Sequence, residues 1–314
     1  MKTLTFNTLR VLALAMLFYS CKEEELAQNE AISEPTTIGA INSDNLYLSS
    51  GKPAQTIGRL AGKENRRIRL YSAEYLTSGK TQRAGNIILF NDRGNKQLSS
   101  DFSNLLNLDG SKNISYHVDK TRPSIGLGIN QTTKAIDRAM TTWDKAKCSN
   151  LGLNKVQSEN NSTGWISLLY GFGGSSNYIA DVNHAGWLPA QFFDYITSNG
   201  GSNILAVTFT IIFVDQNGNP LDSDKNNKTD VAWREIYYND GFNWNDGADY
   251  DVETIALHEA GHGLSQGHFG KAFISGSGKL HFAPRAVLNA GYSGVQRKIG
   301  KTDLGGHCSI WAGK

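Results

Sequence analysis

Six prolines in 314 residues are few, and only 19% of the side chains carry a formal charge. The chain therefore lacks the Pro-rich and like-charged blocks that keep a segment from folding. Three cysteines are too few for a disulfide scaffold. Charge of one sign is also lacking, because the formal net charge of +2 resides in Lys2 and Arg10, and the remaining basic and acidic side chains balance. Nothing in this composition asks for nucleic acid as a partner. The apolar run Val11–Phe18 is much shorter than the roughly 20 residues that cross a bilayer as a helix. No repeat of 20 to 50 residues is visible, so a solenoid or propeller is not supported. What is present is 39% hydrophobic and 10% aromatic residues, enough for a substantial core at this length, and 33 glycines, which imply many turns.

Lys2 and Arg10 in front of Val11–Phe18 read as a signal peptide over residues 1–20. Ser20 before Cys21, at the end of the apolar run, resembles a bacterial lipobox, in which Cys21 is the acylated first residue of the mature chain. Lys22–Glu25 resembles the acidic export signal of Gram-negative lipoproteins that reach the cell surface. The expectation is an exported lipoprotein at the bacterial outer membrane or cell surface, attached to the membrane through its lipid. A plain secretory signal is the alternative, although no A-x-A site lies nearby. Residues 21–45, rich in Glu, Asn, Ser and Thr, read as a solvated tether. Residues 46–112 read as a small N-terminal unit of undisclosed role, with a strand at Asn86–Phe90 and a turn at Asn91–Gly94. Once Cys21 takes lipid, Cys148 and Cys308 remain, and an even remainder in an exported protein suggests one bridge. Two buried thiols are the alternative.

From residue 113 the pattern is mixed α and β. Ile114–Val118 alternates as a strand, and Ala135, Ile136, Ala139, Met140 and Trp143 share one face of a helix over Thr132–Ala146. Ile204–Val214 and Val231–Tyr238 read as strands, and helical periodicity resumes at Val252. The oxygen-rich loop Asp215–Asp224 is a candidate site for structural Ca2+, though Pro220 and Asn226 break the EF-hand rule. A solvated turn is its alternative.

His258-Glu259-Ala260-Gly261-His262 is an HExxH motif. The i, i+4 spacing puts both imidazoles on one helix face, where they can hold one Zn2+, with Glu259 placed to take a proton from water. A catalytic zinc usually takes three protein ligands and keeps a position open. Glu259 is the last glutamate of the chain, so the third ligand is no downstream Glu, and Asp303, the only later Asp, has no supporting motif. His268, His281 and His307 remain. His268 is favoured because six residues after His262 let the chain leave the helix and return, with Gly267 supplying freedom for the reversal. His281 follows the glycine-rich Ser275–Gly278, and His307 adjoins Cys308. His184 reads as a core or loop histidine, since nothing near it has metal spacing.

With His268 the run becomes HExxHxxSxxH, which resembles the HExxHxxGxxH signature of the metzincin clan of zinc peptidases at every ligand position. The resemblance covers about residues 113–314, most specifically after Asp251. The clan's glycine is replaced by Ser265, so the turn either shifts to Gly263 or Gly267 or puts Ser265 in a strained conformation. Pro284–Tyr292 resembles the clan's methionine turn with Leu288 in the methionine's place. Tyr292 stands where matrixin-type members carry the wall of the substrate pocket, and Ala290 replaces their proline. Val231–Tyr238 is similar to the edge strand that pairs with an extended substrate. The resemblance implies an α+β catalytic domain over residues 113–314, with a twisted mixed sheet and an active-site helix. It further implies a zinc-dependent endopeptidase acting on proteins or peptides. A non-catalytic surface binding module with a metalloprotease-like fold is the alternative, against which the intact Glu259 argues. Cys21→Ala is expected to abolish lipid labelling and release the protein from membranes; a native chain found soluble with an unmodified N-terminus would contradict the lipoprotein reading.

Overall fold

The computed structural model describes residues 67–79, 97–157, 162–274 and 280–313. Along them run β1 (Arg67–Thr77), β2 (Ser100–Asp101), β3 (Ile114–Val118), α1 (Ile129–Asp144), β4 (Leu153–Lys155), α2 (Trp165–Leu169), β5 (Val182–Leu188) and α3 (Ala190–Asp194). There follow α4 (Gly200–Asn203), β6 (Ile204–Val214), β7 (Thr229–Asn239), α5 (Val252–Gly263), β8 (Lys271–Ile274), β9 (Leu280–Ala283) and α6 (Lys301–Trp311). Cys21, the expected signal and tether, and Asn86–Phe90 lie outside the described residues.

The fold is mixed α and β around one sheet in the order β1-β6-β7-β5-β3-β4, with β2 paired to β7. The pairs β4-β3, β3-β5 and β5-β7 are parallel, whereas β6 runs antiparallel to both β7 and β1. Both faces are covered, which explains why β6 is buried at every position and reads as a continuous apolar run rather than an alternating one. On one face α1 and α5 pack through Ala135, Ile136, Ala139, Met140 and Trp143 against Val252, Ile255, Ala256 and Ala260. Each larger aliphatic fully buried there contributes about 1.5–3 kcal/mol. The other face holds Trp165, Phe192, Phe193, Phe209, Phe213 and Tyr237. Two indoles tie the helices down by their polar edges: Trp143 Nε1 donates to Leu257 O at 2.8 Å and Trp311 Nε1 to Leu264 O at 3.0 Å.

Two sequence expectations are corrected. The boundary expected at residue 113 does not divide the sheet, because β1, assigned to a separate N-terminal unit over residues 46–112, is registered on β6 from Arg67 opposite Val214 to Thr77 opposite Ile204. Bulges between Leu70 and Ser72 and between Leu76 and Thr77 break the period of two, so the strand lacks a clean alternation. Nor is Val231–Tyr238 an edge strand. It lies within β7, flanked by β6 and β5, so its backbone groups already have partners.

Cys148, just after α1, is disulfide-bonded to Cys308 in α6, with Cα atoms 5.6 Å apart and 160 residues of separation. Closing a loop of that length removes about 5 kcal/mol of unfolded-state entropy in the chain-entropy model, and measured values are typically about 2–4 kcal/mol. The Cys148→Ser/Cys308→Ser variant is therefore expected to lose a few kcal/mol of unfolding free energy in denaturant titration; an unchanged midpoint would count against that stabilisation.

Candidate metal centre

Helix α5 is buried along its whole length, so each polar group it carries needs a partner. Its N-cap, Asp251, accepts from Thr254 N at 3.0 Å, Thr254 Oγ1 at 2.6 Å and Gly247 N at 2.8 Å, and pairs with Arg297 Nε at 2.9 Å. Burial pushes this carboxyl up, but the Arg297 guanidinium and the N-cap donors outweigh it and hold it below the usual range.

The helix ends in a Schellman turn: Gln266 N donates to Gly261 O at 3.0 Å and Ser265 N to His262 O at 2.9 Å. Ser265 itself adopts the left-handed conformation, with φ 70°. Of the three possibilities open at this position, the turn has stayed in place and the serine has taken the glycine conformation. Arg234 supports it, since Nη1 of this fully buried side chain donates to Ser265 Oγ at 2.9 Å, His262 O at 2.8 Å and Gly263 O at 3.0 Å. The same guanidinium reaches Thr210 Oγ1 at 3.1 Å and Ser100 O at 3.1 Å. Burial lowers its pKa to about 9, against the attraction of Asp101 and Glu74. It stays charged at neutral pH, at the helix end where a cation is favoured.

Past this turn the chain returns His268 to the helix. The Nε2 atoms of His258, His262 and His268 lie 3.0–3.1 Å from one another. His258 Nδ1 donates to Val287 O at 2.7 Å, and His262 Nδ1 donates to Gln266 O at 2.8 Å. A carbonyl can only accept, so in the neutral ring each of these Nδ1 atoms holds the proton and Nε2 presents a lone pair. His268 Nδ1 faces Glu74 Oε2 at 3.9 Å. Burial keeps the rings neutral, lowering His258 to about 4 and His262 and His268 well below their ordinary value. Three lone pairs converging on one point repel unless a cation lies between them. Nitrogens bound to a tetrahedral zinc at about 2.0–2.1 Å are about 3.3 Å apart, close to what is found. The buried triad can hold a metal ion, and among the described residues it is the one group of three or more His, Cys, Asp or Glu so placed.

Glu259 is buried beside the triad and outside it, with Oε2 accepting from Thr208 Oγ1 of β6 at 2.5 Å. Desolvation, with the nearby Glu74 carboxylate, raises its pKa well above the ordinary value, opposed by the hydroxyl of Thr208. A turn passes beneath the histidines. Leu288 is buried against α5 so closely that a Cβ on Gly261 would lie 2.8 Å from its Cδ2, which makes this glycine a packing requirement. Ala290 and Tyr292 follow on the same segment, and both bond to Thr77 of β1.

The remaining candidates lie elsewhere. His281 is exposed on β9. His307, on α6, stacks on Trp143 with ring centroids 5.5 Å apart and hydrogen-bonds to Ser149 Oγ at 2.9 Å. His184 is a core histidine, 2.8 Å from the Tyr238 hydroxyl. In the Asp215–Asp224 loop considered for calcium, Asp215 accepts from Asn217 N and Asn219 N at 2.8 Å, and Asp222 from Asn226 N and Asn227 N at 3.0 Å. Asp224 Oδ2 accepts from Asn226 Nδ2 at 3.2 Å, so each of the three carboxylates has a protein donor.

No protein-family model matches this chain, and no curated protein matches it.

Two residues that hold the centre have no place in the motif. Arg234 is one; a charged pair, Arg234-Glu235, inside an apolar strand was its only signal in the sequence. Asp303 is the other. Its carboxylate accepts from Val287 N and Leu288 N, both at 3.2 Å, and from Gly300 N at 2.9 Å, which braces the turn that carries Val287 O to His258. His268→Ala is expected to weaken metal binding by more than the roughly 10- to 100-fold typical of outer-shell losses, while His281→Ala and His307→Ala retain stoichiometric metal in dialysis followed by elemental analysis. Loss of metal in either of those two and not in His268→Ala would break the assignment of the triad.

Proposed function

We propose that this protein is a zinc-dependent endopeptidase of metzincin type, exported and lipid-anchored at the bacterial envelope. The observation that carries the reading is the pairing of three converging imidazole lone pairs with a buried carboxylate, Glu259, that is not among the ligands. Three neutral histidines suit zinc and leave its fourth position open. Zinc held there would supply a Lewis acid for a peptide carbonyl and lower the pKa of water toward about 7. The chain's own groups do the rest. His258 and His262 are oriented through Val287 O and Gln266 O, and Glu74 Oε2 lies 3.9 Å from His268 Nδ1. Glu259, raised by burial, takes a proton from the attacking water and delivers it to the leaving nitrogen. Thr208 fixes the rotamer of that carboxylate. The resemblance at His258, Glu259, His262, His268, Leu288 and Tyr292 supports the metzincin assignment, as does an active-site helix packed on a mixed sheet.

After metal removal with EDTA, zinc is expected to restore hydrolysis of casein and of a peptide library, and calcium alone is not. Glu259→Ala is expected to bind zinc stoichiometrically and lose hydrolysis by at least about 100-fold, the usual scale of a general base. Near-native digestion by that variant, or full recovery with calcium alone, would overturn the reading.

A further inference from the structure

Calcium is held by roughly six to eight oxygens, and a loop that supplies them sets acidic or amide side chains at alternate positions before a residue that can turn sharply. Asp222, Asp224 and Asn226 have that alternation. Asn227, sixth in the count from Asp222, has φ 65° where the EF-hand loop turns on glycine, and Asp230 is ninth, a further ligand position. Counting from Asp215 puts Pro220 at the turn; counting from Asp222 puts a left-handed asparagine there. The twelfth residue, a bidentate Glu in that loop, is Trp233 here. A neighbouring strand supplies a carboxylate in its stead. Asp101 of β2 is in register with Asp230 of β7, so the two acids stand side by side on one face of a parallel pair.

Both are buried, Asp101 at 2% exposure and Asp230 at 0%. The two oxygens of Asp101 and Oδ2 of Asp224 each lie 3.2 Å from Asn226 Nδ2, so three anionic oxygens face an amide with only two hydrogens. Ser223 N donates to Asp230 Oδ2 at 2.7 Å, which holds this carboxylate against the loop between Asp222 and Asp224. Its other oxygen, Oδ1, is buried and has no hydrogen-bond partner among the described residues. Lys228 Nζ lies 3.8 Å from Asp101 Oδ2, and Arg234 attracts the same carboxylate, but neither donates to Asp230 Oδ1. A buried carboxylate oxygen in that position calls for a cation or a proton.

We propose that Asp222, Asp224, Asn226 and Asp230, with Asp101 of β2, form a calcium site separate from the histidine centre. Hard oxygen donors without nitrogen or sulfur suit Ca2+ and not zinc. Asp222, Asp224 and Asn226 are exposed, which gives the ion a path from solvent to the buried pair. The carboxylates do not close on one point as the imidazoles do, because the Asn226 amide lies among them. Binding draws the loop in around the ion. Ser100, next to Asp101, accepts from Arg234, the guanidinium that holds the turn after α5. Calcium therefore fastens the loop and β2 to β7 and steadies that brace, without entering the chemistry at the histidines.

The test uses the full chain, stripped of metal, reloaded with one equivalent of zinc, and titrated with CaCl2 in a calorimeter and in thermal unfolding at constant ionic strength. One calcium per chain is expected, half-saturating at about 0.1–1 mM, the range of extracellular modules. The thermal midpoint should rise by about 3–5 °C at roughly 10 mM calcium. Asp224→Asn, on the exposed side, should weaken binding by at least about 10-fold. Asp230→Asn keeps the side chain's shape; without calcium it should melt no lower than wild type, because a buried like charge is gone, and it should lose the calcium response. Asp215→Asn should bind as wild type does. A midpoint unmoved by calcium, or moved as far by magnesium at the same concentration, would overturn the proposal. So would a full response in both Asp224→Asn and Asp230→Asn, or its loss in Asp215→Asn alone. A chain that binds calcium as expected and digests no protein would leave this site standing and remove the peptidase reading.

Discussion

A helix buried along its entire length bears polar side chains at a cost, and α5 carries five, three of which, His258, Glu259 and His262, fall within one and a half turns. This constraint organises much of what surrounds it. Val287 O, Gln266 O and Thr208 Oγ1 each satisfy one of them, and in doing so each fixes a tautomer or a rotamer. The same contacts that make burial tolerable leave three Nε2 lone pairs aimed at one point. Satisfaction of the outer atoms and convergence of the inner ones are two faces of a single arrangement.

The ends of the helix extend that logic outward. At the N-terminus, the Asp251 cap is tied to Arg297, which also pairs with Asp246 and, at 3.3 Å, with Glu253. At the C-terminus, Arg234 spends its donors on helix carbonyls, on Ser265 and on Ser100, which joins α5 to β2, β6 and β7. A non-glycine residue with positive φ is costly, and at Ser265 the cost is offset by the hydroxyl that only a side chain could offer to Arg234. Beneath the helix, Asp303 and Asn289 staple the Ala286–Asn289 turn, with Asn289 Oδ1 accepting from Ala286 N at 2.7 Å. The Cys148–Cys308 bond anchors α6, which carries Asp303, to the end of α1.

Strand β1 belongs to the same economy of edges and pockets. A sheet edge exposes unpaired N–H and C=O groups, and the edge of β6 that β7 leaves open lies directly over Glu259 through Thr208. In this structure residues 67–77 fill it. The strand brings a carboxylate to His268 and an apolar side chain to the cluster beside Tyr292, so a segment with no motif of its own becomes part of the surroundings of the metal centre.

Local patterns were legible in the sequence for a physical reason: they depend on residues a few positions apart. The i, i+4 histidines, the apolar stripe of α1 and the β-branched run of β6 each appear in the structure where their spacing placed them, within a few residues. Spacing favoured His268 over His281 and His307 as the third ligand, but the way the chain reverses to bring it back rests on Arg234, a side chain from a strand about thirty residues upstream. That β1 rather than a separate unit covers β6 follows from a pairing of more than a hundred residues' separation that no local period encodes. The sequence by itself determined the helix that carries two histidine ligands and favoured His268 as the third. Only the tertiary structure decided how Ser265 accommodates the turn and which strand covers the edge of β6, because each is settled by backbone hydrogen bonds and buried charges between segments far apart in the chain.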